Sequence, residues 1–329
     1  MDDFNALNLV GRSPAFVDAL NLIRKFADCE ATVLIEGETG TGKELAARAI
    51  HYLGSRREGP FVPVNCGGIP ESLVESEFFG HTRGAFTDAK EARRGVIAQA
   101  QGGTLFLDEV DALSARSQVA LLRFLQDREY RPVGGATLFN ADVRVVAASN
   151  ADLAQMSQFG RYRQDLLYRL NVLSVQLPPL RERRMDVQLL AEMFLRRLSH
   201  QYGTANKHLH PETVEFLNQY AWPGNVRELE NFIHRAFLLS ERDQPMVRGV
   251  GGYKTGSTGS GDTQTQDWPS FAKAKARAIV LFEREYLEKA LNAAEGNVTL
   301  AARRAGKERR SFGRLLKKHG IQKNQYAAD

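Results

Sequence analysis

The chain has 329 residues, 43% apolar and 25% charged, which allows two or three domains and cores that need no disulfide or metal staple. That composition excludes a fibrous or wholly disordered protein. The absence of any run of about 18 apolar residues excludes a membrane-spanning helix. The opening residues Met1-Asp2-Asp3-Phe4-Asn5 lack the basic and apolar stretches of a signal peptide. Cys29 and Cys66 have no His or Cys at metal spacing and read as free thiols of a reducing cytosol. The net charge of +5 is uneven. Residues 269–329 hold seven Lys and seven Arg against six acids, a net of +8, which leaves −3 for the residues before them. A basic segment behind a mildly acidic body suggests a nucleic-acid partner.

In chain order, Val33-Leu34-Ile35, Leu105-Phe106-Leu107 and Val143–Ala148 read as buried parallel strands. Helical patterns lie between them at Lys43–Leu53 and Ser117–Leu125, so a doubly wound α/β sheet is expected over about residues 8–172. From Pro178 to Ser240 the pattern is helical only. Met185–Leu198 is one stretch, and another begins at Asn225, with Glu228 placed as in a capping box. Residues 249–267 carry six Gly among Ser and Thr and read as a flexible tether. The expected division is therefore 1–172, 173–248, 249–267 and 268–329.

The motif Gly37-Glu38-Thr39-Gly40-Thr41-Gly42-Lys43-Glu44 follows an apolar strand and opens a helix, the context of a phosphate-binding loop. Glycines let backbone N–H groups turn around phosphate oxygens, the helix N-terminus adds a favourable field, and Lys43 reaches the β- and γ-phosphates. Glu44 stands where Ser or Thr would meet Mg²⁺. Sixty-five residues on, an apolar strand ends in Asp108-Glu109. Asp108 there can orient Mg²⁺ through its water shell, and Glu109 can polarise an attacking water. A metabolic kinase needs only the first acid, so the pair points to ATP hydrolysis. Asn150, at the end of the third strand, reads either as a contact to the γ-phosphate or water, or as a helix cap.

The set GETGTGKE, GTLFLDEV, GAFTDA (84–89), LPPLRER (177–183) and WPGNVREL (222–229) resembles the bacterial enhancer-binding proteins, the NtrC family of AAA+ activators of sigma-54 RNA polymerase. The resemblance covers about residues 8–240 and the tail. It implies an α/β AAA+ ATPase with a parallel sheet, a helical lid and a C-terminal helix-turn-helix domain. It further implies a homohexameric ring, a cytoplasmic location and DNA as a partner. With few residues ahead of the ATPase, the chain is expected to lack the usual N-terminal regulatory domain. In that it is similar to the phage-shock and Hrp-type activators, which trans-acting regulatory proteins control.

Glu44 matches the family, which also has Glu there. Asn65 resembles the residue that restrains the Walker B glutamate, here Glu109. Arg163 and Arg169, in RYRQDLLYRL, resemble arginine fingers that reach a neighbouring subunit's nucleotide, and Arg227 resembles the sensor II arginine of the lid. Phe86 and Thr87 resemble the tip that touches the sigma factor. Asp88 replaces the family's second Gly, adding a negative charge to that tip.

In the tail, Phe271–Leu291 reads as a long helix with an apolar stripe of Ile279, Phe282, Tyr286, Ala290 and Leu291. Thr299–Ala305, a turn at Gly306 and Arg309–His319 follow, with Ala302, Gly306, Phe312 and Leu315 at helix-turn-helix core spacing. This resembles the Fis-like domain of the family, although Lys307 replaces an apolar residue and Gly313 weakens the second helix. Arg309, Arg310 and Arg314 are candidates for base edges or phosphates, Lys317 and Lys318 for phosphates. Two functions remain open from sequence alone. One is a sigma-54-dependent activator that remodels the polymerase closed complex. The alternative, which Asp88 keeps open, is a sigma-54-independent DNA-binding regulator using the ATPase for assembly. A metabolic P-loop enzyme does not fit the tail.

Overall fold

The computed structural model describes residues 2–86, 89–240, 246–247, 287, 290–292, 294, 297–307 and 309–318. The chain forms two compact units, Met1–Thr255 and Gly256–Asp329.

The first unit begins with helix α1 (Pro14–Ala27), which has Pro at its first position, where the ring costs no hydrogen bond. Strand β1 (Val33–Glu36) leads into α2 (Lys43–Tyr52), followed by β2 (Phe61–Asn65), β3 (Thr104–Asp108) and α3 (Ala115–Asp127). Strand β4 (Arg144–Ser149), α4 (Gln164–Leu170) and β5 (Leu173–Gln176) complete the layer. The strands run in the order β2-β3-β4-β1-β5, every neighbouring pair parallel. Helices cover both faces, so β4 is buried at every residue. Alternate side chains serve two cores. Leu34, Leu105, Leu107, Val145 and Ala147 join Leu121, Phe124 and Leu166 on one face. Val33, Ile35, Phe106, Val146 and Ala148 join Phe16, Leu20, Ile23 and Ile50 on the other.

Two strands fall outside the sequence reading. Pro63 obscures β2, and it is tolerated because β2 is an edge strand paired only with β3. β5 corrects the expected end of the α/β layer at 172. Leu173–Gln176 pairs with β1 through Leu34↔Ser174, and its polar Ser174 and Gln176 face solvent from the other edge.

The lid packs α5 (Arg184–Gln201), α6 (Pro211–Gln219) and α7 (Asn225–Leu239) around Trp222, Leu229, Phe232 and Ile233. It is not purely helical, since His208–Leu209 pairs in parallel with Met246–Val247. A buried ion pair fastens the N-terminal segment to α5. Asp186 accepts from Arg12 N (2.6 Å), Ser13 N (3.0 Å), Ser13 Oγ (2.7 Å) and Arg183 Nε (3.0 Å). The Arg183 guanidinium in turn lies 3.4 Å over the Phe16 ring.

In the second unit, Asn297 caps α8 (Val298–Arg304) by accepting from Thr299 N and Leu300 N. Gly306 turns the chain at φ +62°, and α9 (Arg309–Lys318) follows. Ala301, Ala302, Phe312 and Leu316 form its core with Leu287 and Leu291. The predicted tether and most of the predicted helix after it, at 271–291, lie outside the described residues. Among the described residues no helix is long and apolar enough to cross a membrane.

Candidate active site

The loop between β1 and α2 lies at the carboxyl end of the sheet, where a switch in strand order opens a crevice. Its glycines are positional. Gly42 caps α2 at φ +102°, a conformation that strains any L side chain. Gly40 stands at φ +82°, and a Cβ there would lie 2.4 Å from Gly224 O of the lid. Lys43 Nζ donates to Gly37 O (2.7 Å) and Glu38 O (3.2 Å), which holds the ammonium over the loop. Burial pulls its pKa down, opposed by the charges of Asp108, Asp111 and Glu109.

A cleft of about 380 Å³ gathers Thr39, Gly40, Gly42, Lys43 and Glu44 with Asn65, Asp108, Glu109, Asn150 and Arg227. Ten of the predicted site residues therefore meet in one place. Burial raises the Asp108 carboxyl, against the backbone N–H of Glu109 and the charge of Lys43. Glu109 sits at φ +55°, a strained angle for a side chain of its size, of the kind that clusters at functional sites. Its Oε2 would be 2.5 Å from a Cβ at Gly67, so the carboxylate rests against that glycine. Asn65 is paired with Asp108 across β2 and β3, but its Oδ1 accepts from Gly68 N (3.0 Å), and no hydrogen bond joins it to Glu109. Asn150 is not the helix cap. Asp152 caps the helix that follows, and Asn150 N donates to Asp111 Oδ1 (3.3 Å). Among the described residues no group of three or more His, Cys, Asp or Glu could hold a metal by itself. The single half-buried Asp108 facing a phosphate cradle suits Mg²⁺, which keeps several waters and shares its coordination with phosphate oxygens.

Three loop residues point elsewhere. Gly37 and Thr41 shape the loop, Thr41 through its bond to Glu38 O (2.8 Å). Glu38 turns to the lid. Arg181 donates to it bidentately (2.9 and 2.7 Å), and Asn225 Nδ2 adds a third bond (3.1 Å). These bonds hold the Glu38 carboxyl below its usual range. Asn225 is fully buried at φ +52°, accepts from Leu180 N (2.8 Å) and also donates to Thr39 O (3.0 Å). Val226 N donates to Gly40 O (3.0 Å). The expected capping box is half present. Glu228 accepts from Gly224 N (2.8 Å), while the Asn225 side chain clasps the phosphate loop instead of capping its helix.

Arg163 and Arg169 are exposed on and before α4 and do not line the cleft of their own chain. Arg163 forms a bidentate pair with Asp165 (3.0 and 2.6 Å). Phe86 is 38% exposed, its ring edge-on to His81 at 4.9 Å, and its carbonyl accepts from Ala89 N (3.0 Å). Thr87 and Asp88 lie outside the described residues. On α9, Arg309, Arg310 and Arg314 are exposed, while Phe312 and Leu316 are buried. Lys317 and Lys318 end that helix. Both cysteines are free, Cys29 exposed and Cys66 buried. Burial followed by the acids near the cleft pushes the Cys66 thiol up to about 12.

A P-loop, a strand-end acid pair and a lid arginine converging on one crevice define a AAA+ nucleotide-site architecture. The sequence of this chain matches the Sigma-54 interaction domain over residues 9–176, the AAA+ ATPase lid domain over 181–252 and the Bacterial regulatory protein, Fis family, over 278–319. The chain belongs to the family defined by the sigma-54 interaction domain. It is 45% identical to the transcriptional regulatory protein ZraR of Escherichia coli over 92% of this chain and 67% of that protein. It is also 45% identical to the response regulator protein PilR of Pseudomonas aeruginosa, over 95% and 70%. Among solved structures it is similar to NtrX from Brucella abortus in complex with ATP. That likeness has 34% identity and a TM-score of 0.69, covering 95% of this chain and 69% of that one.

Proposed function

We propose that this chain is a sigma-54-dependent transcriptional activator that hydrolyses ATP as a hexameric ring, remodelling the polymerase closed complex in the cytoplasm from an enhancer site on DNA. The convergence of Lys43, Asp108, Glu109, Asn150 and Arg227 on one cleft carries this reading, with Arg163 and Arg169 outside it. Loop N–H groups between Gly37 and Gly42 bind phosphate oxygens, and Lys43 leaves its carbonyl partners for the β- and γ-phosphates. Asp108, through the ion's water shell, and the nucleotide phosphates would hold Mg²⁺, which would neutralise charge on the phosphate oxygens. Glu109 takes the proton of the attacking water, Asn65 restrains that glutamate until the target is engaged, and Asn150 contacts the γ-phosphate or the water. Arg163 and Arg169 enter the adjacent subunit's cleft and stabilise the transferring phosphoryl group, a contribution of about 10³–10⁵ in rate. Arg227 reports nucleotide state to the lid. Phe86, Thr87 and Asp88 present the sigma contact, and the α9 cations bind DNA.

The test separates binding from turnover. Lys43→Ala loses nucleotide binding, whereas Glu109→Ala binds ATP at parental affinity and turns it over at least a hundredfold more slowly, within the range general bases supply. Parental turnover by Glu109→Ala would remove the glutamate from its role.

A further inference from the structure

Gln118 is a polar residue on the apolar face of α3. Leu121, Leu122 and Leu125 surround its position, and it is 2% exposed. A buried amide there must have its bonding capacity met. Nε2 donates to Leu113 O (3.0 Å) and to Arg161 O (3.4 Å), and Oε1 accepts from Arg163 N (2.9 Å). One side chain thus joins two backbone segments more than 40 residues apart in sequence.

Each segment leads to the chemistry. Leu113 closes the short turn Val110–Ala112, whose cap is Glu109. Asp111 of that turn accepts from Ser149 Oγ (3.0 Å) and Asn150 N (3.3 Å), so the turn is tied to the cleft floor. The other segment starts α4 at Arg163. Tyr162 between the two bonded peptides is buried, and its hydroxyl has no partner. The tyrosine side chain therefore adds packing to this segment without a polar anchor, while Gln118 bonds the peptides on both sides of it.

We propose that Gln118 is a positioning residue that couples the turn behind Glu109 to the base of Arg163, so that the state of a subunit's own nucleotide cleft sets the reach of the arginine it offers to its neighbour. This rests on the reading of Arg163 as acting across the subunit boundary. The subunit in which a perturbation takes effect distinguishes this coupling from a defect in the subunit's own cleft.

Mixed assemblies supply that readout. Gln118→Leu removes all three bonds at similar volume. It should keep ATP affinity within twofold and lose at least tenfold in turnover. Mixed with Glu109→Ala, it should regain turnover, because each Gln118→Leu cleft then faces a sound arginine from a Glu109→Ala subunit. Mixed with Arg163→Ala, it should regain none. Parental turnover by Gln118→Leu, no rescue by Glu109→Ala, or rescue by Arg163→Ala would each overturn the proposal. The last of these would place the defect in the subunit's own cleft. The pair Glu109→Ala with Arg163→Ala is the control. If it gives no rescue, the shared-site reading fails first and the Gln118 inference with it; if it rescues and Gln118→Leu does not, only the inference fails. Gln118→Glu keeps the shape and the acceptor for Arg163 N, and it carries the same comparison if thermal melting shows Gln118→Leu unfolded.

Discussion

Asn225 joins the phosphate loop to the lid, and its removal has a magnitude that the geometry sets. In Asn225→Ala, Leu180 N–H and Thr39 C=O lose the partners that now lie at 2.8 and 3.0 Å. Each orphaned group costs about 1–3 kcal/mol. The φ of +52° also becomes unfavourable for alanine, a further loss of about 1–2 kcal/mol. The expected total is about 3–8 kcal/mol. Asn225→Gly loses the same bonds but accepts the left-handed angle, so it should be about 1 kcal/mol less damaging. Denaturant melts of the full chain measure both, and ATP titration of turnover should show KM raised several-fold as Arg227 loses its register with the loop. An Asn225→Ala cost below about 1 kcal/mol, or a glycine variant no better than the alanine one, would refute the reasoning.

Three further outcomes follow from the structure. Asp186→Asn leaves the Arg183 charge buried and unpaired, at a cost of about 3–5 kcal/mol. In thermal melting that corresponds to a loss of roughly 6–20 °C. Burial pushes the Asp186 carboxyl up, but the bonds from Arg12 N, Ser13 and Arg183 outweigh it and leave the pKa lowered. The native advantage is therefore complete above the ordinary Asp range and fades as pH falls through the lowered value, so the gap between parent and variant should narrow below about pH 4. Truncation after Asp267 should leave ATP turnover intact and abolish specific DNA binding in a gel-shift assay. Affinity of the intact chain for DNA should fall steeply with salt, and Arg314→Ala should flatten that slope by about one if it meets a phosphate.

The parts of the site legible in the sequence were those built from consecutive residues. The P-loop, the Asp108-Glu109 strand end and the WPGNVREL segment each announce themselves within about eight positions, because a turn or strand end needs those residue types side by side. What stayed hidden depends on long-range closure. Asn225 meets Glu38 across 187 positions, and its local context suggests a cap. β2 was masked by Pro63, which an edge strand tolerates, and β5 by its alternating polar residues. Gln118 did leave a signal, a lone amide among leucines at helical spacing, but its partners at Leu113 and Arg163 emerge only once the fold brings them together.

In the proposed function, ATP chemistry in the cleft drives the Phe86 loop against the sigma factor. The direct measurement is native-gel trapping of purified sigma-54 by the protein with an ATP transition-state mimic, run beside Phe86→Ala, with ATP turnover measured on both. A stable complex is expected for the parent and none for Phe86→Ala, with turnover retained in both, because the aromatic lies outside the nucleotide cleft. A parent that hydrolyses ATP yet traps no sigma-54, while Asp88→Gly traps it, would contradict the proposed function and assign the chain to sigma-54-independent regulation.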